Sequence, residues 1–308
     1  MAKIATRKAF GETLLELGGK HPGIVVLDAD LSKSTMSKMF AAKYPERFFE
    51  MGIQEANMIG VGAGLALSGK KPFICSFACF VTGRYDTIRI SVAYSEAPVR
   101  IVGTHAGIGI GEDGNSQMGL EDLGLMRGLP NMHVIQPADD IETRLAVAWM
   151  AENDVPSYIR LTRQAVRDVN GDSYRFVMGK AVELVPGSDV TIMATGGTVG
   201  NAVDAAELLN KDGIDAAVLN IHTIKPIDRA AVADHAKKTG LIVTVEDHNI
   251  IGGLGSAVAE VLSETGIGRL VRHGLHDVFG ESGTTDELYA KYRLDATGIA
   301  AVVKESLD

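Results

Sequence analysis

The sequence predicts an α/β protein of two parallel-sheet domains, and three observations carry that expectation. Short, continuously apolar runs rich in β-branched residues alternate with stretches of helical length, as in a parallel sheet covered on both faces. The alternation lapses after residue 164 and resumes before residue 190. A chain of 308 residues also exceeds what one ordinary core organises.

In the first block the apolar runs are 23–28, 72–75, 99–103 and 132–135, and Ser157–Leu161 closes it. A helix from about Asp139 to Glu152 precedes that last strand. Asp139 and Asp140 suit its start, where carboxylates meet free N–H groups and the positive end of the helix dipole. The polar stretch from Gln164 to Pro186 reads as an irregular interdomain linker. Runs at 190–194, 216–219 and 241–245 then predict strands, interleaved with helices near 199–211, 228–239 and 253–264. The expected organisation is residues 1–165, a linker over 166–187, and a smaller parallel unit over 188–308. The glycine-rich Thr195–Gly200 reads as a tight turn into a helix, and Gly252, Gly253 and Gly255 as sites of close packing against another subunit.

Composition bounds the function classes. Apolar residues make up 46% and charged residues 22%, which fits a globular chain and excludes disorder. A formal net charge of -9 leaves no basic field for a nucleic-acid partner. The charged start has no signal-peptide core and no run of about 18 apolar residues occurs, so a cytoplasmic protein without a membrane partner is expected. The two cysteines, Cys75 and Cys79, lack a companion Cys or His pair and read as free thiols.

Open parallel sheets bind ligands beyond the carboxyl ends of their strands, here the loops after Leu27, Met51, Cys75, Val102 and Leu161. Those loops carry Asp28, Asp30, Gln54, Glu55, His105, Asp113 and Arg163. Singly each has a plain alternative, since acids at helix starts cap and loop arginines pair at the surface.

Together they form a pattern. The segment Met51-Gly52-Ile53-Gln54-Glu55-Ala56-Asn57-Met58-Ile59-Gly60 resembles the glutamate helix of transketolases and their thiamine diphosphate relatives. Ala5–Lys8, Asp28–Ser34, Gly103–His105, Gly111–Gly114, Gln136–Asp139, Leu161–Gln164 and Glu246–Ser256 are similar to further transketolase motifs, in the family's order. The resemblance spans essentially the whole chain and implies a pyrimidine-binding fold followed by the transketolase carboxy-terminal domain. The diphosphate-binding domain, with its Gly-Asp-Gly and Asn metal motif, is missing from the match. A separate amino-terminal subunit is therefore implied as partner, holding Mg2+ or Ca2+, in an α2β2 heterotetramer.

The resemblance also implies roles. Glu55, His105, Asp113 and Gln117 form the candidate catalytic set; Glu55 holds the proton at the pyrimidine N1′ of thiamine diphosphate. Phe77 and Phe80 form the aromatic slot for that ring, with Ile74 where some relatives carry another aromatic residue. Asp30, Leu31 and Ile53 line the thiazolium side, although Asp30 alternatively caps the following helix. Arg7, Ser34, His105 and Arg163 match positions that bind the phosphate of sugar-phosphate substrates, and Asp113 the acid that meets the donor. Gln117 departs from the family, which commonly has histidine there. Ketol transfer between sugar phosphates is the expected activity. The alternatives are the β subunit of a 2-oxo acid dehydrogenase, which needs no sugar-phosphate clamp, and a noncatalytic nucleotide-binding or interaction module, which needs no Glu55.

Overall fold

Residues 3–307 are described by a computed structural model. Fourteen strands occur among them: β1 (Lys3–Ala5), β2 (Ile24–Asp28), β3 (Phe48–Glu50), β4 (Lys71–Phe77), β5 (Arg100–Thr104), β6 (His133–Ile135), β7 (Ser157–Arg160), β8 (Ala165–Arg167), β9 (Val182–Val185), β10 (Val190–Ala194), β11 (Ala216–Asn220), β12 (Thr223–Lys225), β13 (Leu241–Asn249) and β14 (Arg269–Leu275). They form a seven-stranded sheet in the order β12-β6-β7-β5-β4-β2-β3, a five-stranded sheet β14-β13-β10-β11-β9, and the pair β1-β8. Parallel pairing dominates both large sheets; β12 and β9 are antiparallel edges.

Alternate residues of each central strand feed opposite layers, because successive side chains point to opposite faces. Ile24, Val26, Phe73 and Cys75 pack with Phe10 and Leu14 of helix Thr6–Lys20 and with Val147 of helix Asp140–Glu152. Val25, Leu27 and Ile74 instead pack with Met58, Ile59 and Ala63 of helix Glu55–Leu67. Both faces are thus covered, which is why the strands read as unbroken apolar runs. The expected start of helix Asp140–Glu152 holds: Asp139 is its N-cap and accepts from the Glu142 N–H at 2.8 Å.

The stretch expected to be an irregular linker instead carries β8 and β9. Strand β8 finds its partner at the other end of the first block, pairing Lys3 with Arg167 and Ala5 with Ala165. Strand β12 likewise leaves the second block to close the edge of the first sheet beside β6. The two blocks share their packing as well. Met193, Leu219 and Ile242 join the cluster of Leu123 and Met126, while Ile108 and Ile110 join that of Val190, Ile192 and Leu288. Full burial of such an aliphatic side chain contributes about 1.5–3 kcal/mol, so this contact fixes how the second block meets the loops of the first.

Gly196 and Gly197 form the expected turn into helix Thr198–Lys211. The glycines expected to meet another subunit have a reason within this chain. A Cβ on Gly253 would lie 1.9 Å from Glu246 Oε2. That carboxylate accepts from the Leu254 and Gly255 N–H groups at 2.7 and 2.8 Å and so caps helix Leu254–Thr265.

Candidate active site

The loops beyond β2, β3, β4, β5 and β7 leave the first sheet at one edge. Beyond β2, Asp28 is buried and accepts from Leu31 N–H, Thr35 Oγ1 and Ser37 Oγ at 2.7, 2.7 and 2.8 Å. Burial pushes its carboxyl up to about 6, against those three hydrogen bonds. Asp28 therefore shapes the turn. Asp30 stands exposed with φ +62°, and its N–H donates to Glu50 Oε1 at 2.7 Å. The alternative cap role expected for Asp30 is not made: Leu31 occupies the N-cap position of helix Ser32–Thr35, without a side-chain cap. Leu31 packs against the cluster that contains Phe77.

Beyond β3, Gly52 takes φ +68°, a left-handed conformation that glycine adopts without a Cβ clash. The turn leaves Ile53 75% exposed and Glu55 only 5% exposed at the start of helix Glu55–Leu67. That helix follows two short ones, Ser32–Thr35 and Lys38–Lys43. The Glu55 carboxyl makes no side-chain hydrogen bond among the described residues. Helix Ala78–Thr82, against which it packs, carries Phe80.

From Phe80 a row of rings runs inward. Phe80 stacks on Phe77 with centroids 5.5 Å apart and planes 10° apart, and Phe77 stacks on His105 at 3.8 Å and 24°. His105, with φ +58°, turns its ring between Thr104 and Arg7: Nδ1 lies 2.8 Å from Thr104 Oγ1 and Nε2 lies 3.1 Å from Arg7 Nη1. A guanidinium only donates, so Nε2 accepts and Nδ1 carries the proton toward Thr104. Arg7 Nη1 also donates to the Ser34 carbonyl at 2.7 Å. Burial, with Arg163 adding to it, lowers the Arg7 pKa. Arg7 Nε is buried with no partner among the described residues.

Arg163 donates to the Ile110 carbonyl and, at 3.2 Å, to Glu112 Oε2. Glu112 is exposed and solvent screens the pair, so it yields readily to a stronger anion. Arg7, Ser34, His105 and Arg163 thus converge from four segments, Ser34 through its backbone carbonyl, with Arg163 close enough to lower the Arg7 pKa.

Asp113 and Gln117 are not part of this cluster. They sit on the loop of 3-10 turns Ile108–Asp113 and Asn115–Gln117, Asp113 exposed and Gln117 half-buried with Oε1 accepting from Ser116 Oγ. Cys79 joins this loop to the aromatic slot, its thiol donating to the Gln117 carbonyl at 3.2 Å. Both cysteines are free. Thr104 and Glu112 support the site without having been singled out as candidates, although both lie inside the motifs Gly103–His105 and Gly111–Gly114; Asp28, expected at this edge, proves to shape the turn.

His105 is held well below its usual range, to about 3, by burial first and then by the charges of Arg7 and Arg163. It is therefore neutral in the fold through the physiological range, whereas in an unfolded chain it protonates near 6.5. The sign follows: as pH falls from roughly 6.5 toward 3 the unfolded state takes up a proton that the folded state refuses, so His105 withdraws stability across that window. NMR of the imidazole nitrogens should show no titration of His105 down to pH ~4. Arg7→Ala should raise its midpoint while burial still keeps it under the unfolded value. A wild-type midpoint near 6.5 would contradict this charge arrangement.

Comparison with known proteins decides the family. Residues 2–169 match the pyrimidine-binding domain of transketolase, and residues 179–299 match the transketolase C-terminal domain. The chain belongs to the transketolase family. This transketolase-type subunit is 48% identical over 305 residues to a putative transketolase C-terminal section of Methanocaldococcus jannaschii, covering 98% of this chain and 96% of that one. It is 44% identical to a 6-deoxy-6-sulfo-D-fructose transketolase subunit of Clostridium sp., over 97% of this chain and 93% of the relative. Identity to a subunit of the apulose-4-phosphate transketolase of Phocaeicola vulgatus is 40%, over 98% and 97% of the two chains. A solved split-gene transketolase, described as an inactive beta4 tetramer, superposes with TM-score 0.92 at 49% identity, over 99% of this chain and 98% of that chain. The subunit is accordingly a transferase of the transketolase type that works with a partner. Among the described residues, no helix of this transketolase subunit is long and apolar enough to cross a membrane.

Proposed function

We propose that this chain supplies the pyrimidine pocket and the substrate clamp of a two-chain, thiamine diphosphate-dependent transketolase that transfers a two-carbon ketol unit from a ketose phosphate to an aldose phosphate. The observation that carries the reading is the unbroken row Phe80–Phe77–His105–Arg7, which joins an aromatic slot to a cationic clamp. A buried carboxyl at Glu55 without a partner among the described residues, on a helix that packs against the one carrying Phe80, fits the aminopyrimidine half of the cofactor. When bound, thiamine diphosphate supplies the nucleophilic carbon that a ketose carbonyl requires.

The chain's own residues then have distinct tasks. Glu55 holds the proton at the pyrimidine N1′. Phe77 and Phe80 hold the ring by stacking and keep water from it. Arg7 and Arg163 bind the phosphate, with Ser34 and His105 fixing where Arg7 points. Asp113 and Gln117 meet the donor on the loop above. Asp30 and Ile53 face outward and Leu31 lies half-buried against the Phe77 cluster, where a second chain completes the thiazolium side.

The partner is an amino-terminal, diphosphate-binding subunit that carries Mg2+ or Ca2+, in an α2β2 assembly. One face of helix Glu55–Leu67 supports this: Ala56, Gly60 and Gly64 are exposed, Cβ atoms on Gly60 and Gly64 would meet nothing within 4 Å, and Ile53, Val61 and Leu67 stand exposed beside them. So open an apolar face next to Glu55 suits coverage by another chain. Gln117, an amide where the family commonly has histidine, supports a donor other than the common pentose phosphates; the sulfofructose and apulose relatives are precedents for such donors.

Mixing the chain with its amino-terminal partner, thiamine diphosphate and a divalent metal should produce ketol transfer, whereas the chain alone should give none. In that assembly Arg163→Ala should raise KM for a phosphorylated acceptor by about tenfold or more, the scale of a lost charge-assisted hydrogen bond, and leave an unphosphorylated acceptor unchanged. Robust turnover by the chain alone would refute the two-chain reading, and equal KM changes for both acceptors would refute the clamp.

A further inference from the structure

We infer that Asp247, on β13 of the second domain, is a positioning residue for the substrate loop of the first, and that Tyr289 and Gln164 extend the same restraint to Arg163. Asp247 is 3% exposed and reaches across the boundary between the blocks. Its Oδ1 accepts from the Ile108 N–H at 2.8 Å and its Oδ2 from the Gly109 N–H at 3.3 Å. Two oxygens of one planar group on two consecutive N–H groups fix the orientation of the backbone as well as its position. Further along, the same loop presents Asp113.

The restraint continues outward. Tyr289 donates its hydroxyl to Asp247 Oδ2 at 2.9 Å and accepts from Gln164 Nε2 at 2.9 Å. Gln164 follows Arg163, which itself donates to the Ile110 carbonyl of the loop. From the far side Thr285 Oγ1 donates to the Gly109 carbonyl at 3.1 Å. Donor-facing Asp113 and phosphate-facing Arg163 are thereby tied to one buried carboxylate.

Local geometry leaves no slack at the contact. Gly107 has φ +79°, and a Cβ there would fall 2.1 Å from Asp247 Oδ2; one on Gly109 would fall 2.2 Å from Gln164 Nε2. The loop backbone lies directly on these side chains, so a shift of the second domain becomes a shift of the loop.

The inference rests on the reading of that loop as donor-facing, and the test separates the two. In the complex with the amino-terminal partner and thiamine diphosphate, Asp247→Ala should lower kcat/KM for the donor by about tenfold to a hundredfold, the cost of misplacing a substrate-positioning group by an ångström or so. KM for a phosphorylated acceptor should rise by a smaller factor, because Asp247 holds the loop directly and Arg163 only through Tyr289 and Gln164. Asp247→Asn, which keeps one acceptor oxygen, should fall between, and Tyr289→Phe should show a smaller loss in the same direction. In the chain alone, hydrogen exchange at Ile108 and Gly109 should speed up in Asp247→Ala while β10 and β13 keep their protection; should that variant not fold, Tyr289→Phe carries both measurements. Equal losses for donor and acceptor, or unchanged exchange at Ile108 and Gly109, would overturn the positioning role. An inactive wild-type complex would count against the transketolase reading alone, with the exchange measurement still deciding whether Asp247 holds the loop.

Discussion

Glu55→Gln should lower kcat of the assembled enzyme by at least about a hundredfold while the chain folds and assembles as before. Glutamine has nearly the shape of glutamate, so packing at the start of helix Glu55–Leu67 survives. The Glu55 carboxyl makes no side-chain hydrogen bond within this chain among the described residues, so the exchange removes no internal bond. What disappears is the ability to share a proton with a ring nitrogen, since an amide neither gains nor gives one near neutral pH. Steady-state rates at saturating cofactor, with sedimentation to check assembly, measure the effect. A variant within about twofold of wild type would remove Glu55 from the chemistry, because proton transfer by a placed group contributes at least about a hundredfold.

The second large effect is on stability. Arg160→Ala should destabilise the chain by about 3–5 kcal/mol, the cost of leaving a buried charge without its partner. Arg160 and Asp122 are both buried, with Arg160 Nε 2.8 and 3.1 Å from the two Asp122 oxygens. Arg160 Nη2 donates to the carbonyls of Gly119 and Asp247 at 2.8 and 2.9 Å, and Tyr158 donates its hydroxyl to Asp122 at 2.6 Å. Burial opposes the guanidinium charge, but Asp122 and Asp247 more than offset it, so the Arg160 pKa is raised. Removing the guanidinium strands Asp122 and cuts a tie between the first sheet and β13 at once. Urea unfolding followed by far-ultraviolet circular dichroism measures the loss. A change below about 1 kcal/mol would mean that water or repacking satisfies Asp122, contrary to the usual cost of a broken buried pair.

This network marks where sequence reasoning stopped. Arg160 was legible only as part of the strand Ser157–Leu161, and nothing in the sequence singled out Asp122. Neither spacing nor periodicity signals a partner 38 positions away that a fold brings to 2.8 Å. The same holds for Asp247, which lies inside a quoted motif whose loop contacts, at Ile108 and Gly109, are 139 and 138 positions distant.

Elements with a local or patterned cause could be read directly from the chain. The central strands were legible because burial on both faces demands unbroken apolar runs. Helix Asp140–Glu152 was legible from its capping acid, and the candidate site from motifs placed at strand ends, where a parallel sheet opens to ligands. The remaining features depend on contacts between distant segments. Strands β1, β8 and β12 are three residues each and draw their hydrogen bonds from distant segments, so no local period announces them. Asp30 and Asp28 are the same residue type two positions apart, yet one is solvent-facing and the other buried, since the chain's path after β2 turns only Asp28 inward. His105 is neutral because burial, Arg7 and Arg163 act on it together, which happens only once three separate segments have met.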